Sequence, residues 1–213
     1  SVRTALQFST DRGVPKVLLV TSPSAAEGKS TTALTLARNF AQLGKRVLLI
    51  EADLRNPSLH RSMGVRAEMG LSSLLSGAAS IQQVIMDTDD ERLKVVLAGP
   101  LPPNPAELLA GSRLLSMLSV AAEKYDQVII DGPPVLGIAD APILSSLVSG
   151  TLLVTKSGKT RIKTAQIALK RLSAARARII GGLLTHYNAN AAGYGYEYES
   201  YYSYGTTPKL GKD

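Results

Sequence analysis

Residues 16–32 read Lys16-Val-Leu-Leu-Val-Thr-Ser-Pro-Ser-Ala-Ala-Glu-Gly-Lys-Ser-Thr-Thr32, a short apolar run that leads into a polar loop. A loop between a strand and a helix can hold a nucleotide triphosphate, because its backbone N–H groups and the helix N-terminus face the phosphates. In such a loop Lys29 would bind the β and γ oxygens and the hydroxyl of Ser30 would bind Mg²⁺. The segment therefore predicts a phosphate-binding P-loop, although Pro23 replaces the first glycine of the usual G-x-x-x-x-G-K-[ST] pattern.

Short apolar runs alternate with segments of helical periodicity along the chain. The runs predicted as buried strands are 16–20, 46–50, 94–97, 127–130, 151–154 and 179–184, and the predicted helices are 30–43, 112–124 and 160–175. Strands that alternate with helices indicate βαβ units. We expect an α/β fold, a doubly wound and mainly parallel sheet with helices on both faces. In such a P-loop NTPase-like or Rossmann-like fold, ligands bind beyond the carboxyl ends of the strands.

Two of the predicted strands end in acidic residues. Asp131 ends the run 127–130 and precedes Gly132-Pro-Pro134, which is the placement of an aspartate that binds Mg²⁺ directly or through water. Its alternative role is that of a turn residue at a strand end. Glu51 and Asp53 follow the second strand, and their spacing of two points both carboxylates the same way on an extended chain. This second acidic strand end is not required in ordinary P-loop hydrolases.

Composition excludes several classes of protein. The chain has 213 residues, is 45% apolar and contains no cysteine, so it can bury a large core and cannot form disulfides or thiolate metal sites. No apolar run approaches the roughly 20 residues of a transmembrane helix, and no signal peptide pattern is present, so we expect an aqueous compartment. The net charge of +7 is spread along the chain without a compact basic arm. We therefore expect no nucleic-acid binding.

Two segments depart from the strand–helix pattern. Residues 99–105 contain four prolines and are predicted to form an extended loop. Residues 188–213 are predicted to be a mobile tail after a domain of residues 1–187. The tail carries a tyrosine cluster, namely Tyr194, Tyr196, Tyr198, Tyr201, Tyr202 and Tyr204. By its composition, this cluster could be a low-complexity end or a stacking surface for bases or sugars.

Three motifs together resemble the Walker A, Walker A′ and Walker B motifs of the bacterial tyrosine kinases that serve capsule and exopolysaccharide synthesis. They are Glu27-Gly-Lys-Ser-Thr-Thr32, Glu51-Ala-Asp-Leu-Arg55 and Ile130-Asp-Gly-Pro-Pro134. Segments 57–61, 70–75, 102–109 and 157–161 and the tyrosine cluster are also similar to that family. The resemblance implies a domain related in fold to MinD/ParA-type ATPases that transfers phosphate from ATP to tyrosine instead of water.

The resemblance also implies roles for individual residues, with Mg-ATP as the bound nucleotide. The expected catalytic residues are Lys29, Glu51, Asp53 and Asp131, and the expected metal ligands are Ser30, Asp53 and Asp131. Glu51 is the candidate that orients or deprotonates the tyrosine, although the division of roles between Glu51 and Asp53 stays open. The expected nucleotide-binding residues are Ser24, Ala25, Ala26, Glu27, Gly28, Lys29, Ser30, Thr31 and Arg55.

Partners are implied by the same resemblance. Arg3 is similar to the final arginine of an E-x-x-R-x-x-R motif that supports ring-shaped oligomers, so we expect it at an interface between copies of the chain. In a ring, the tail of one subunit would reach the site of its neighbour, and the resemblance implies that the six tail tyrosines are the candidate phosphate acceptors. We further expect a transmembrane activator upstream in the same polypeptide, a tyrosine phosphatase as a partner, and a location at the inner face of the bacterial inner membrane.

The sequence departs from the family pattern at three places. Glu51 stands where an aspartate is usual, Ala25-Ala26 where Pro-Gly is common, and Thr185 near a position often held by an asparagine that contacts adenine. Ser24 replaces the extra lysine that reaches across the dimer in MinD/ParA-type ATPases. That replacement argues against an ATPase switch, which remains an alternative together with a nucleotide-binding scaffold of little activity.

Overall fold

The computed structural model describes residues 2–11 and 13–188, without the side chain of Arg3. Within these residues, seven strands form one sheet in the order β3-β4-β2-β5-β1-β6-β7. The strands are β1 Val17–Thr21, β2 Val47–Glu51, β3 Met86–Asp87, β4 Leu93–Val96, β5 Gln127–Asp131, β6 Gly150–Lys156 and β7 Ile179–Thr185. All neighbouring pairs are parallel except β3 and β4. The predicted α/β class, with its mainly parallel sheet, is confirmed.

Helices follow most of the strands. They are α1 Val2–Gln7, α2 Lys29–Gln42, α3 Leu59–Met63, α4 Leu71–Ser76, α5 Ile81–Val84, α6 Pro105–Ala110, α7 Ser112–Lys124, α8 Asp140–Leu147 and α9 Ile162–Ala174. The three predicted helices correspond to α2, α7 and α9. Among the described residues, no helix is both long and apolar enough to cross a membrane.

The sheet separates two apolar layers, because successive side chains of a strand point to opposite faces. Leu18 and Val20 of β1 pack in one layer with Phe40 of α2, whereas Leu19 packs in the other with Met117 of α7. Both layers cover the sheet, so its central strands are buried along their whole length and read as continuous apolar runs.

Strand register brings the acidic strand ends to one edge of the sheet. β5 lies between β1 and β2, with Val20 opposite Asp131 on one side and Glu51 opposite Asp131 on the other. The loop after β1 begins at the same edge, where α2 leaves toward one face. The carboxyl edge of β1, β5 and β2 therefore positions the candidate site.

Two local predictions were incomplete. The proline-rich segment 99–105 is irregular only up to Asn104, because Pro105 begins α6 and a proline is tolerated in the first turn, where its missing N–H has no partner to lose. The two-residue strand β3 was not predicted, since a strand this short has no periodicity to detect.

Candidate active site

The P-loop connects β1 to α2, and its backbone takes two left-handed conformations. Gly28 caps α2 with φ 95°, and a Cβ added there would lie 3.3 Å from Cγ2 of Thr185. Ala26 has φ 61°, a conformation that favours glycine. The Ala-Ala sequence in place of Pro-Gly is thus accommodated with local backbone strain at Ala26.

Behind the loop, Glu27 serves as a support. Its carboxylate accepts hydrogen bonds from the backbone N–H of Ser24 (3.0 Å) and the hydroxyl of Thr160 (2.5 Å). The backbone carbonyl of Glu27 accepts a bond from the hydroxyl of Thr185 at 2.8 Å. The side chain of Glu27 is buried. Glu27 therefore ties the P-loop to the β6–α9 connection, and Thr185 of β7 holds the same loop from another strand.

Lys29 lies at the centre of the charged cluster. Its Nζ is 2.9 Å from Oδ2 of Asp53, 3.7 Å from Oδ1 of Asp131 and 3.3 Å from the hydroxyl of Ser30. The other oxygen of Asp53 accepts a bond from the backbone N–H of Asn56 at 3.0 Å, which fixes the carboxylate. The structure thus brings together four residues predicted from three separate motifs.

Asp131 lies beneath this cluster and is fully buried. Neither of its carboxylate oxygens accepts a hydrogen bond from the described residues. Burial raises the pKa of Asp131 to about 6, against the opposing attraction of Lys29. A buried carboxylate with free oxygens beside a serine hydroxyl at a P-loop fits Mg²⁺, which binds one or two carboxylates and the phosphates of a nucleotide. Ser30 and Asp131 would hold the ion here.

Glu51 takes a different place from the one expected of a general base. One carboxylate oxygen accepts bonds from the N–H groups of Ser58 and Leu59, both at 2.6 Å, and the other accepts one from Ala98 at 3.1 Å. Only 1% of the residue is exposed. This geometry favours a structural role that joins β2 to the start of α3 and the end of β4, whereas Asp53 lines the cavity beside the P-loop.

Arg55 forms a two-pronged ion pair with Asp140 at the start of α8. Its Nε and Nη2 donate to the two carboxylate oxygens at 2.8 and 3.1 Å. Asp140 is fully buried, and the pair raises the pKa of Arg55 above its ordinary value, chiefly through the hydrogen bond. The pair links the loop after β2 to the segment after β5, so two walls of the site are held together.

A cavity of about 550 Å³ surrounds the cluster. Of the predicted site residues it is lined by Ala25, Ala26, Gly28, Lys29, Ser30, Thr31, Asp53 and Arg55. Asp131, Glu51 and Glu27 are buried behind the wall, and Ser24 contributes its backbone N–H to Glu27. The six predicted acceptor tyrosines, Tyr194 to Tyr204, lie outside the described residues, as does the side chain of Arg3.

Sequence reasoning missed several residues of this site. Asp140 is a single polar residue at a helix start and carries no motif by itself, whereas Thr160 lies in segment 157–161, which resembles the family but was given no role in the site. Arg61 and Ser62 of α3 and Leu136 and Ile138 after β5 also line the cavity. A search for a polar residue just before or within the first turn of a helix that follows a parallel strand would have found Asp140 and Thr160, because both lie at the edge where ligands bind.

Comparisons with known proteins agree with this architecture. A family model described as an AAA domain matches residues 16–161. The tyrosine-protein kinase YwqD of Bacillus subtilis is 40% identical over 86% of this chain and 78% of its own length. The tyrosine-protein kinase ptk of Acinetobacter johnsonii is 36% identical over 91% of this chain, which spans only 26% of that relative.

A solved structure shows the same arrangement of elements. The kinase domain of the Escherichia coli tyrosine kinase ETK superposes with a TM-score of 0.82 at 33% identity, over 88% of this chain and 75% of that one. The residues 16–161 matched by the family model include the P-loop and both acidic strand ends. The chain belongs to the family of bacterial tyrosine-protein kinases.

Proposed function

We propose that this chain binds Mg-ATP in the P-loop cavity and transfers the γ-phosphoryl group to tyrosines of the C-terminal segment 194–204 of a neighbouring copy. The observation that carries the proposal is the cluster of Lys29, Asp53 and Asp131, in which one cation faces two carboxylates at the P-loop. Phosphoryl transfer requires this kind of positioning and charge neutralisation more than covalent help.

The phosphates would be held by the P-loop amides and Lys29. Lys29 is presently paired with Asp53, so it must turn its ammonium group toward the β and γ oxygens when ATP binds. Mg²⁺ bound with the nucleotide would neutralise charge that develops on the phosphate oxygens. Ser30 and Asp131 place that ion, and the Arg55–Asp140 pair keeps the two flanking loops in position.

The acceptor hydroxyl needs a proton acceptor, because an ordinary tyrosine has a pKa near ~10. In the transfer, the bond between the tyrosine oxygen and the γ-phosphorus forms while the bond to the β–γ bridging oxygen breaks, and ADP leaves. The phenolic proton passes to a carboxylate at the cavity. Asp53 is the candidate, since it lines the cavity while all the hydrogen bonds of Glu51 are directed into the fold.

The wider role also belongs to the proposal. Family membership and the tyrosine-rich C-terminus support autophosphorylation that regulates capsule or exopolysaccharide synthesis. Arg3 would lie at the interface of a ring of copies, with a transmembrane activator and a tyrosine phosphatase as further partners at the inner membrane. Since this chain spans about a quarter of some relatives, an activator region in the same polypeptide is consistent with their length.

Incubation of the purified chain with Mg-ATP, followed by phosphotyrosine mass spectrometry and a phosphate-release assay, tests the proposal. We expect phosphate on tyrosines of segment 194–204, and none in a Lys29→Met chain of unchanged melting temperature. Free phosphate without phosphotyrosine would indicate an ATPase switch instead. Bound nucleotide without turnover would indicate a scaffold.

A further inference from the structure

A second cavity lies beside the P-loop cavity, which we call the phosphate cavity because we propose that it holds the phosphates of ATP. It has a volume of about 850 Å³ and occupies the carboxyl edge of β2 and β4. Arg61 of α3 lines both cavities, and the neighbouring residues Pro57 and Ser58 line one each. We call this second cavity the β2–β4 groove. Arg61 therefore connects the β2–β4 groove with the cavity at the P-loop.

The chemistry of the β2–β4 groove is basic and apolar. Its cationic side chains are Arg61 and Arg66, both exposed, and the half-buried His60 of α3 also lines the groove. Val65 and Leu101 supply apolar surface, and Leu101 is 64% exposed. Among the described residues that line the groove, the one acidic side chain is Glu51, whose oxygens are engaged by backbone amides.

This combination suits an acidic peptide with aromatic side chains. Guanidinium groups attract carboxylates and stack on aromatic faces, and exposed apolar residues accept a tyrosine ring. In this chain the segment 193–205 reads Gly-Tyr-Gly-Tyr-Glu-Tyr-Glu-Ser-Tyr-Tyr-Ser-Tyr-Gly, with Glu197 and Glu199 among six tyrosines and no basic residue. Its charge and aromatic content are complementary to those of the groove.

We infer that the β2–β4 groove is the docking site for the acidic tyrosine segment 193–205, which it holds by Arg66 and Arg61 so that one tyrosine enters the phosphate cavity. The inference rests on the proposed kinase function and names where its peptide substrate binds. It also explains the role of Glu51. By binding the amides of Ser58, Leu59 and Ala98, Glu51 fixes the two backbone segments between which the groove lies.

The test uses chains of all 213 residues and a synthetic peptide of residues 193–205. Arg66 lines the groove but not the phosphate cavity, so Arg66→Glu changes docking without touching the nucleotide site. Arg38→Glu is the matched control, because Arg38 is an exposed arginine of α2 that lines neither cavity. Both variants change the net charge equally, and both keep the chain's own tail as a competitor.

We expect Arg66→Glu to raise the KM for the peptide about 5- to 20-fold, with kcat and the KM for ATP within about twofold of the parent. Arg38→Glu should leave all three constants unchanged. With the Arg66→Glu chain, a peptide that carries Glu197→Lys and Glu199→Lys should have a KM close to that of the unchanged peptide with the parent chain. With the parent chain, the same altered peptide should be a poor substrate. The difference in peptide KM between the parent and Arg66→Glu should shrink as the salt concentration is raised, because the groove is open to solvent.

Equal KM values for Arg66→Glu and Arg38→Glu, at equal melting temperatures, would overturn the docking site while leaving the kinase function intact. Fluorescence anisotropy of the labelled peptide, measured with a non-hydrolysable ATP analogue, separates the two claims. Peptide binding that depends on Arg66, without transfer by the parent, would support the groove and contradict the kinase proposal. Peptide binding that is equally strong in the parent and in Arg66→Glu would by itself contradict docking in the β2–β4 groove.

Discussion

Lys29 and Asp53 form a buried ion pair in the phosphate cavity, with 2.9 Å between Nζ and Oδ2. The pair joins the start of α2 to the loop after β2 and lies in the cavity in which we propose that ATP binds. In that proposal, nucleotide binding exchanges the carboxylate of Asp53 for phosphate oxygens at Lys29, and Asp53 then faces the acceptor or the waters of the metal.

The first prediction concerns Asp53. Asp53→Asn should lower the phosphoryl-transfer rate by about 10² or more, because it removes the carboxylate that faces the acceptor. The nucleotide affinity should change by less than about threefold, since Lys29 and the loop amides remain. Single-turnover kinetics and titration calorimetry measure the two effects.

Asp126→Asn is the control for this prediction. Asp126 also forms an ion pair, with Arg46 at 2.9 Å, but the pair lies at the exposed opposite edge of the sheet. Transfer by Asp126→Asn should match the parent. Transfer by Asp53→Asn within threefold of the parent would exclude Asp53 as proton acceptor.

The second prediction separates the two roles considered for Glu51. A glutamine has one acceptor oxygen and a donor group in place of a carboxylate that accepts three backbone bonds, so Glu51→Gln should lower the free energy of unfolding by about 2–4 kcal/mol. Exposed Glu123→Gln should have almost no effect. Denaturant titrations measure both. An unchanged stability together with a 10²-fold slower transfer would restore Glu51 as the general base.

The third prediction follows from the raised pKa of Asp131. Because the folded-state pKa is about 6 and the unfolded value is 3.8, the folded chain holds the proton more tightly, so ionisation of Asp131 destabilises the nucleotide-free fold as pH rises from about 4 to 6. The maximal cost is about 3 kcal/mol. Asp131→Asn should therefore melt higher than the parent at pH 7.5 and close to it at pH 4.

Thermal unfolding of both chains across this pH range, without nucleotide, measures the difference. The same variant should lose transfer, since an amide is a poor Mg²⁺ ligand. A stability difference between the two chains that does not change with pH would contradict the raised pKa of Asp131 in the folded chain.

The fourth prediction concerns the strained P-loop residue Ala26, with φ 61°. Ala26→Gly should raise the free energy of unfolding by up to about 1 kcal/mol, because relief of the left-handed strain exceeds the extra entropy of the unfolded chain. In helix α9, Ala165→Gly should instead lower it by about 1 kcal/mol. Denaturant midpoints of the two variants provide the comparison. If Ala26→Gly lowered the free energy of unfolding as much as Ala165→Gly does, backbone strain at Ala26 would be refuted.

The sequence predicted the six longer strands and the three long helices, because continuous apolar runs and helical periodicity are local properties. It also predicted that Lys29, Asp53 and Asp131 meet, since parallel strands place their carboxyl ends at one edge. The functions of Glu51 and Asp140 were not predictable in this way. Glu51 accepts bonds from Ser58, Leu59 and Ala98, and such contacts depend on the path of loops that have no sequence period.

The tyrosine segment 194–204, the role of Arg3 and the division between residues 1–187 and 188–213 remain predictions from sequence. The β2–β4 groove could not be foreseen either. Its arginines lie in segments that resemble ordinary solvated helix and turn residues, and only the fold brings them together with the residues that follow β4.

The most direct test of the account is a mixing experiment that follows phosphate from one chain to another. Isotopically heavy Lys29→Met chains, which retain the tail tyrosines, are mixed with active chains in which all six tail tyrosines are phenylalanine, and Mg-ATP is added. Tandem mass spectrometry should find phosphotyrosine at positions 194–204 of the heavy chains, with amounts that rise with the concentration of active chain. Heavy chains without phosphotyrosine, under conditions in which intact protein phosphorylates itself, would show that transfer occurs within one chain. If intact protein also lacks phosphotyrosine, the assignment of the P-loop cavity as a tyrosine kinase site is contradicted.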